Sequence, residues 1–346
     1  MRKLIAGFFR MRFQNNRIIG VMILVASFAG GWFIMDWQSF ISTSLVEGDH
    51  PVRLTIAPGS SLTGLAYRLH KARLVKHPRY LVWLARWQGK AGLIQAGEYE
   101  IMPGTTPAGL LDQIVSGKVI QYPFTIIEGW TFLQLREALA AQHTMTSTLT
   151  GLSDAEIMEK IGHPGEHPEG QFLPDTYYVT RDMTDVELLS RAHAAMTEML
   201  DQAWQERDVG LPYQQPYDAL IMASIIEKET AVPEERERIA GVFVRRLEKG
   251  MRLQTDPTVI YGLGPSFNGN LRRRDLQQDN PYNTYRHRGL PPTPIAMPGH
   301  DSILAAMHPA QGDEIYFVAR GDGTHYFSST VEEHNRAVRK YQLHRR

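Results

Sequence analysis

The sequence predicts an α+β chain behind a single N-terminal transmembrane helix, with a small module of strand-turn-helix units and then a larger mixed α+β domain. Three observations carry this. Residues 18–35 form an 18-residue stretch without a charge. A glycine-aligned pattern recurs three times between residues 51 and 143, and residues 218–250 read as a buried helical hairpin. At 346 residues and 43% hydrophobic content, the chain has room for all three parts.

Residues 1–17 form a basic tail, with Arg2, Lys3, Arg10, Arg12 and Arg17 and no acid. The span, 18–36, is long enough for one bilayer crossing at 1.5 Å per residue. A cleaved signal peptide is the alternative, but the apolar run is longer than a usual signal core and no A-x-A site follows it. The charge asymmetry places the tail in the cytoplasm and everything after about residue 37 outside, with Trp32 and Trp37 at the outer interface. Residues 37–50 read as a polar spacer. The chain as a whole is balanced, 37 basic against 37 acidic residues, so no basic domain is expected and nucleic acid is excluded as a partner. With no cysteine, disulfides, thiol catalysis and Cys-ligated zinc are excluded too.

In the module at 51–143, IAPGSSLTGLAYRL, IMPGTTPAGLLDQI and IIEGWTFLQLREAL align on Gly59, Gly104 and Gly129. Each places apolar residues six and ten positions later: Leu65 and Leu69, Leu110 and Ile114, Leu135 and Leu139. A strand, a tight turn, a Ser/Thr cap and an amphipathic helix account for each unit; chance recurrence in an α/β chain is the alternative. TIAPGSSLTGLAYRL resembles the entry of a LysM module, which implies glycan binding. Trp83 and Trp87 stand at helical spacing, which favours core positions over a sugar platform.

The domain at 144–346 opens with a polar Gly/Pro/His segment, read as a short helix and a loop over a cleft. EGQFLPDTYYVT then brings Phe172 and two tyrosines beside Glu169 and Asp175, the residue types that stack on and hydrogen-bond a saccharide, or else an ordinary strand and turn. Residues 184–205 form an amphipathic scaffold helix. In the hairpin, Asp218 is the expected cap of a helix that is nearly all apolar from 219 to 226, and Pro233 starts a second helix that Gly250 stops. Glu227 and Glu229 lie about 200° apart around the first helix, so one pocket takes only one of them. Glu229 extends the stripe of Met222, Ile225 and Ile226 and stands nearer the negative helix end, which raises a carboxyl's pKa and suits a general acid. Two solvated helix-end charges are the alternative.

Gln254, Thr255 and Asp256 follow on an extended segment into a Pro-started turn or short helix that carries Tyr261, with Asp256 open to a turn role or that of a second carboxylate. Residues 271–299 form a long Pro/Asn/Tyr/Arg loop, in which Tyr282, Asn283, Thr284 and Tyr285 suit a sugar groove. A helix, two strands joined by a hairpin, and a last helix from Thr330 close the chain. The later histidines show no metal-ligand spacing, so neither metal nor cofactor is expected.

EGQFLPDTYY, MASIIEKET, RLQTDPTVIYG, YNTY and GLPPTPIAMPG, behind an N-terminal anchor, resemble the MltG (YceG-like) endolytic murein transglycosylases of bacterial inner membranes. The resemblance covers nearly everything from residue 50. Two departures stand in the last motif, Thr293 for a usual Gly and Met297 for a common Asn. It implies a catalytic domain at 144–346 acting on peptidoglycan glycan strands, with the E-K-E-T glutamate, Glu229, as acid and then base. It also implies a place in the inner membrane beside peptidoglycan synthases, the penicillin-binding proteins. A muramidase cutting the same bond and a non-catalytic wall-binding scaffold are the alternatives.

Overall fold

The structure, a computed structural model, describes residues 2–343, with side chains from residue 19 onward, so the charges of the basic tail lie outside what is described. It divides into two compact units, Met1–Gln121 and Tyr122–Arg346.

Unit 1 runs α1 (Arg2–Ser42), β1 (Val52–Ile56), α2 (Leu62–Lys71), α3 (Pro78–Trp87), β2 (Gly97–Ile101) and α4 (Pro107–Val115). The strands pair antiparallel, Val52 opposite Ile101 and Ile56 opposite Gly97. The glycine pattern has a physical basis. Gly59, Gly104 and Gly129 all take φ between 74° and 85°, which a side chain disfavours. Two residues on, Ser61, Thr106 and Thr131 each accept a helix N–H, from Gly64, Gly109 and Gln134. The residues six and ten positions after each glycine are all buried.

Two expectations fail in unit 1. Residues 37–50 are no free spacer, because α1 continues to Ser42 and Phe40, Leu45 and Val46 are buried in the unit's core. The segment is tied down by Leu45 N–H donating to Thr105 O at 2.8 Å and Gly104 N–H to Ser44 Oγ at 3.0 Å. Nor are Trp83 and Trp87 core residues: Leu81, Val82, Leu84 and Ala85 fill the buried face of α3, and the tryptophans are 47% and 82% exposed.

Unit 2 contains β3 (Tyr122–Thr125), α5 (Phe132–Ala141), α6 (Asp154–Lys160), β4 (Thr176–Val179), α7 (Asp185–Glu206), α8 (Pro216–Glu229), α9 (Arg236–Glu248), α10 (Asp256–Leu263), α11 (His300–Met307), β5 (Tyr316–Ala319), β6 (His325–Ser328) and α12 (Val331–Val338). β3 pairs antiparallel with β4, so the third strand-turn-helix unit belongs here and not with the first two. β5 and β6 form a hairpin, Tyr316 opposite Ser328. At the centre is α8, whose residues from Ala219 to Ile226 are buried without exception against α7, α9 and α11. It begins at Pro216, two residues before the expected cap, and Asp218 accepts the N–H groups of Gln214 and Gln215 from within the first turn. Pro233 opens a single 3₁₀ turn that leads into α9.

Candidate active site

Glu229 is the last residue of α8, where an apolar helix meets a cleft of about 560 Å³. Asp256, Gln254, Arg246, Tyr285, Tyr316 and His325 share its lining. Burial pushes the Glu229 carboxyl up, and the nearby Asp256 charge adds to that. A hydrogen bond from Thr255 Oγ1 to Oε2, at 2.6 Å, opposes it, as do His325 and Arg246.

The segment facing Glu229 is held from behind. Gln254 N–H donates to Thr284 O at 3.2 Å, Thr255 N–H to Thr284 Oγ1 at 3.1 Å, and the hydroxyls of Thr258 and Thr284 meet at 2.9 Å. Gln254 is exposed with φ 53°, a conformation that costs a non-glycine residue about 1 kcal/mol or more. Asp256 starts α10 and accepts from Tyr285 Oη at 2.6 Å.

The other sequence-predicted residues divide. Glu227 faces elsewhere, as its angular offset requires: its Oε2 accepts Gly299 N–H at 3.0 Å at the start of α11. Asn283 and Thr284 are buried, and Asn283 Nδ2 is spent on Leu276 O and Gln278 O; both order the long loop and neither lines the cleft. Phe172 is wholly buried and stacks on Phe132, a core residue and not a sugar contact. Asp175 is exposed and caps Thr176 N–H at 2.6 Å.

Glu169, Tyr261, Tyr282 and Thr293 form a separate chain of contacts. Tyr261 Oη donates to Glu169 Oε2 at 3.0 Å, the two tyrosine rings meet edge to face at 4.9 Å, and Tyr282 and Thr293 hydroxyls lie 2.9 Å apart. Glu169 also accepts Phe132 N–H at 3.0 Å, and its burial pushes it up to about 7. Thr293, the departure from the family pattern, therefore places a hydroxyl in this network.

Sequence reasoning missed Arg246 and His325. Arg246 is buried, its guanidinium donating to Ile315 O and Leu253 O at 2.6 Å. His325 is fixed by Glu235, whose oxygens lie 2.7 Å from Nδ1 and 2.8 Å from the backbone N. No local motif marks either; only the folding of β5 and β6 against α9 brings them to Glu229. The expectation about metals also missed a group of potential ligands. His163, Glu166 and His193 offer ligand atoms within 4.8 Å of one another, and the carboxylate of Glu166 partners both rings, at 3.1 and 3.2 Å.

Known proteins share the sequence pattern and fold of this chain. An endolytic murein transglycosylase of Bacillus subtilis (strain 168) is 30% identical over 329 residues, covering 90% of each chain. One from Streptococcus pneumoniae (D39) is 28% identical, matching 94% of this chain and 65% of its own length. The crystal structure of a yceG-like protein from Listeria monocytogenes superposes with a TM-score of 0.51 at 28% identity, covering 84% of this chain and 99% of that one. The YceG-like family model matches residues 54–340, a stretch that takes in every residue of the cleft around Glu229 except its C-terminal edge, and the chain belongs to the YceG-like family.

Proposed function

We propose that the chain is an endolytic murein transglycosylase that cleaves the MurNAc-β-1,4-GlcNAc bond of peptidoglycan strands and leaves a 1,6-anhydroMurNAc end. The observation that carries this is Glu229 itself: a carboxyl at the end of an apolar helix, on the cleft, that burial holds towards its protonated form. A protonated carboxyl gives its proton to the glycosidic oxygen as that bond breaks. The carboxylate so formed takes the proton of the same sugar's 6-hydroxyl, whose oxygen closes the anhydro ring. The substrate supplies the nucleophile, so one carboxyl suffices. Asp256, already engaged by Tyr285, adds its charge to the burial that raises Glu229; Gln254 and Tyr285 are the proposed sugar contacts. That the bacterial relatives are endolytic murein transglycosylases supports the general activity.

On this reading α1, which contains the candidate span Ile19–Ser42, is a single-pass anchor in a bacterial inner membrane, with a cytoplasmic N-terminus and the chain after about residue 37 on the periplasmic side. Unit 1 is proposed as a LysM-like glycan module, because its first strand-turn-helix entry carries that resemblance. Peptidoglycan synthases as neighbours rest on the family resemblance alone.

Mass spectrometry of digested sacculi tests the reaction, since anhydro ends are one water lighter than reducing ends. The expected result is anhydro products from the wild type and a loss of about 10²-fold or more in Glu229→Gln. Glu227→Gln is expected to stay active. Reducing ends would make the enzyme a hydrolase, and an active Glu229→Gln would remove the assignment.

A further inference from the structure

Charge is not evenly spread along the chain. Between Asp49 and Glu98 there are eight Lys and Arg residues and no acid, while outside this segment and the N-terminal tail 24 basic residues face 37 acidic ones. The overall balance of 37 basic and 37 acidic residues hides this basic run. The run centres on α3. Its buried face is Leu81, Val82, Leu84 and Ala85; its other face shows Trp83 and Trp87 one turn apart, flanked by exposed Arg79 and Arg86, with Arg73 and Lys76 just before it. Two large exposed indoles on a basic helix face are unusual for a surface in contact with water alone.

The position of α3 relative to α1, within the same unit, says what covers them. Tyr80 packs on the outgoing turns of α1, its ring 5.9 Å from Phe33, 5.4 Å from Trp37 and 5.5 Å from Phe40, and its hydroxyl donates to Asp36 at 2.8 Å. The uncharged stretch that ends at Met35 rises about 27 Å as a helix, close to one hydrocarbon thickness. Tyr80 therefore sits where α1 leaves the hydrocarbon, and Trp83 stacks on Tyr80 at 5.6 Å. Indoles favour this depth, and guanidinium groups beside them meet phosphates. The acids nearby are already engaged, Asp36 by Tyr80 and His77, and Asp112 by Lys90.

We propose that the exposed face of α3, with Trp83, Trp87, Arg79 and Arg86, is a binding site for anionic phospholipid headgroups in the membrane that α1 spans. The proposal rests on the reading of α1 as an anchor. A sugar strand or an anionic wall polymer would also suit aromatic and basic residues. Neither would require the site to lie at the level where the helix emerges.

The chain has no cysteine, so single labels are clean. The full chain, carrying Trp87→Cys or the fully exposed control Val209→Cys, is labelled with an environment-sensitive fluorophore and reconstituted into phosphatidylcholine vesicles with and without phosphatidylglycerol. Expected is a blue shift at residue 87, deepened by phosphatidylglycerol, quenched by headgroup-level quencher lipids, and reduced by salt or by Arg79→Gln with Arg86→Gln. Residue 209 is expected to stay aqueous. A label at residue 87 that matches residue 209 in every vesicle overturns the proposal, as does one that shifts only when glycan strands or anionic wall polymer are added. Flotation separates the two readings: a chain that does not float with vesicles loses the anchor and this site together, whereas a floating chain with residue 87 in water loses this site alone.

Discussion

Two carboxyls show how one fold assigns different tasks to the same side chain. A general acid works only while protonated, so kcat/KM is expected to fall as pH rises through the raised value of Glu229. Asp256→Asn removes a charge that raises Glu229, and should move that falling limb to lower pH; a limb that stays in place would deny Asp256 its electrostatic role. Glu169 couples to stability instead. Its carboxyl is pushed up to about 7 from 4.5 in the folded chain, so the fold binds its proton more tightly than the unfolded chain does. Stability from this residue is complete below about pH 4.5 and is lost as pH rises through 7, by roughly 3 kcal/mol in all. In Glu169→Gln that loss should be missing, so denaturant unfolding at pH 5 and pH 8.5 should show the variant gaining on the wild type as pH rises. That Glu227 and Glu229 face different surroundings was legible, because helix geometry separates them by about 200°. The burial of Asn283 and Thr284 was not, since a polar residue that satisfies loop carbonyls looks the same in sequence as one that waits for a sugar.

At the scale of elements, turn chemistry was the most readable signal. Gly59, Gly104 and Gly129 mark three turns of the same hand because the backbone there admits little else. Gly170, in EGQFLPD, has a second constraint. Its φ is 79°, and a Cβ there would fall 2.5 Å from Pro294 Cβ, on a ring that cannot rotate away. Gly170→Ala is expected to cost about 2 kcal/mol or more and to displace the 271–299 loop, visible as a lowered Tm with reduced activity. The helical hairpin was read correctly from apolar length and from Pro233 and Gly250. The exposed face of α3 was misread because hydrophobic spacing tells which residues share a stripe and not which stripe meets the core.

For the whole molecule, the division between Gln121 and Tyr122 departs from the sequence reading because pairing of β3 with β4 joins residues far apart in the chain. Composition shifts mark linkers, and no linker lies there. The stretch after residue 36 was misjudged for a related reason: Phe40, Leu45 and Val46 are too few to stand out among polar neighbours, yet all three are buried in unit 1. Removing them should cost several kcal/mol, at about 1.5–3 kcal/mol for each large side chain. A fragment starting at residue 37 is therefore expected to keep the melting of unit 1, and one starting at residue 47 to lower it sharply, as calorimetry would record.

The same continuity has a mechanical meaning. A helix that runs unbroken from Arg2 to Ser42 and packs its final turns into unit 1 leaves no swivel between them. Any twist or tilt imposed on the helix is passed to that unit as torque, and any pull on the unit is felt along the helix axis.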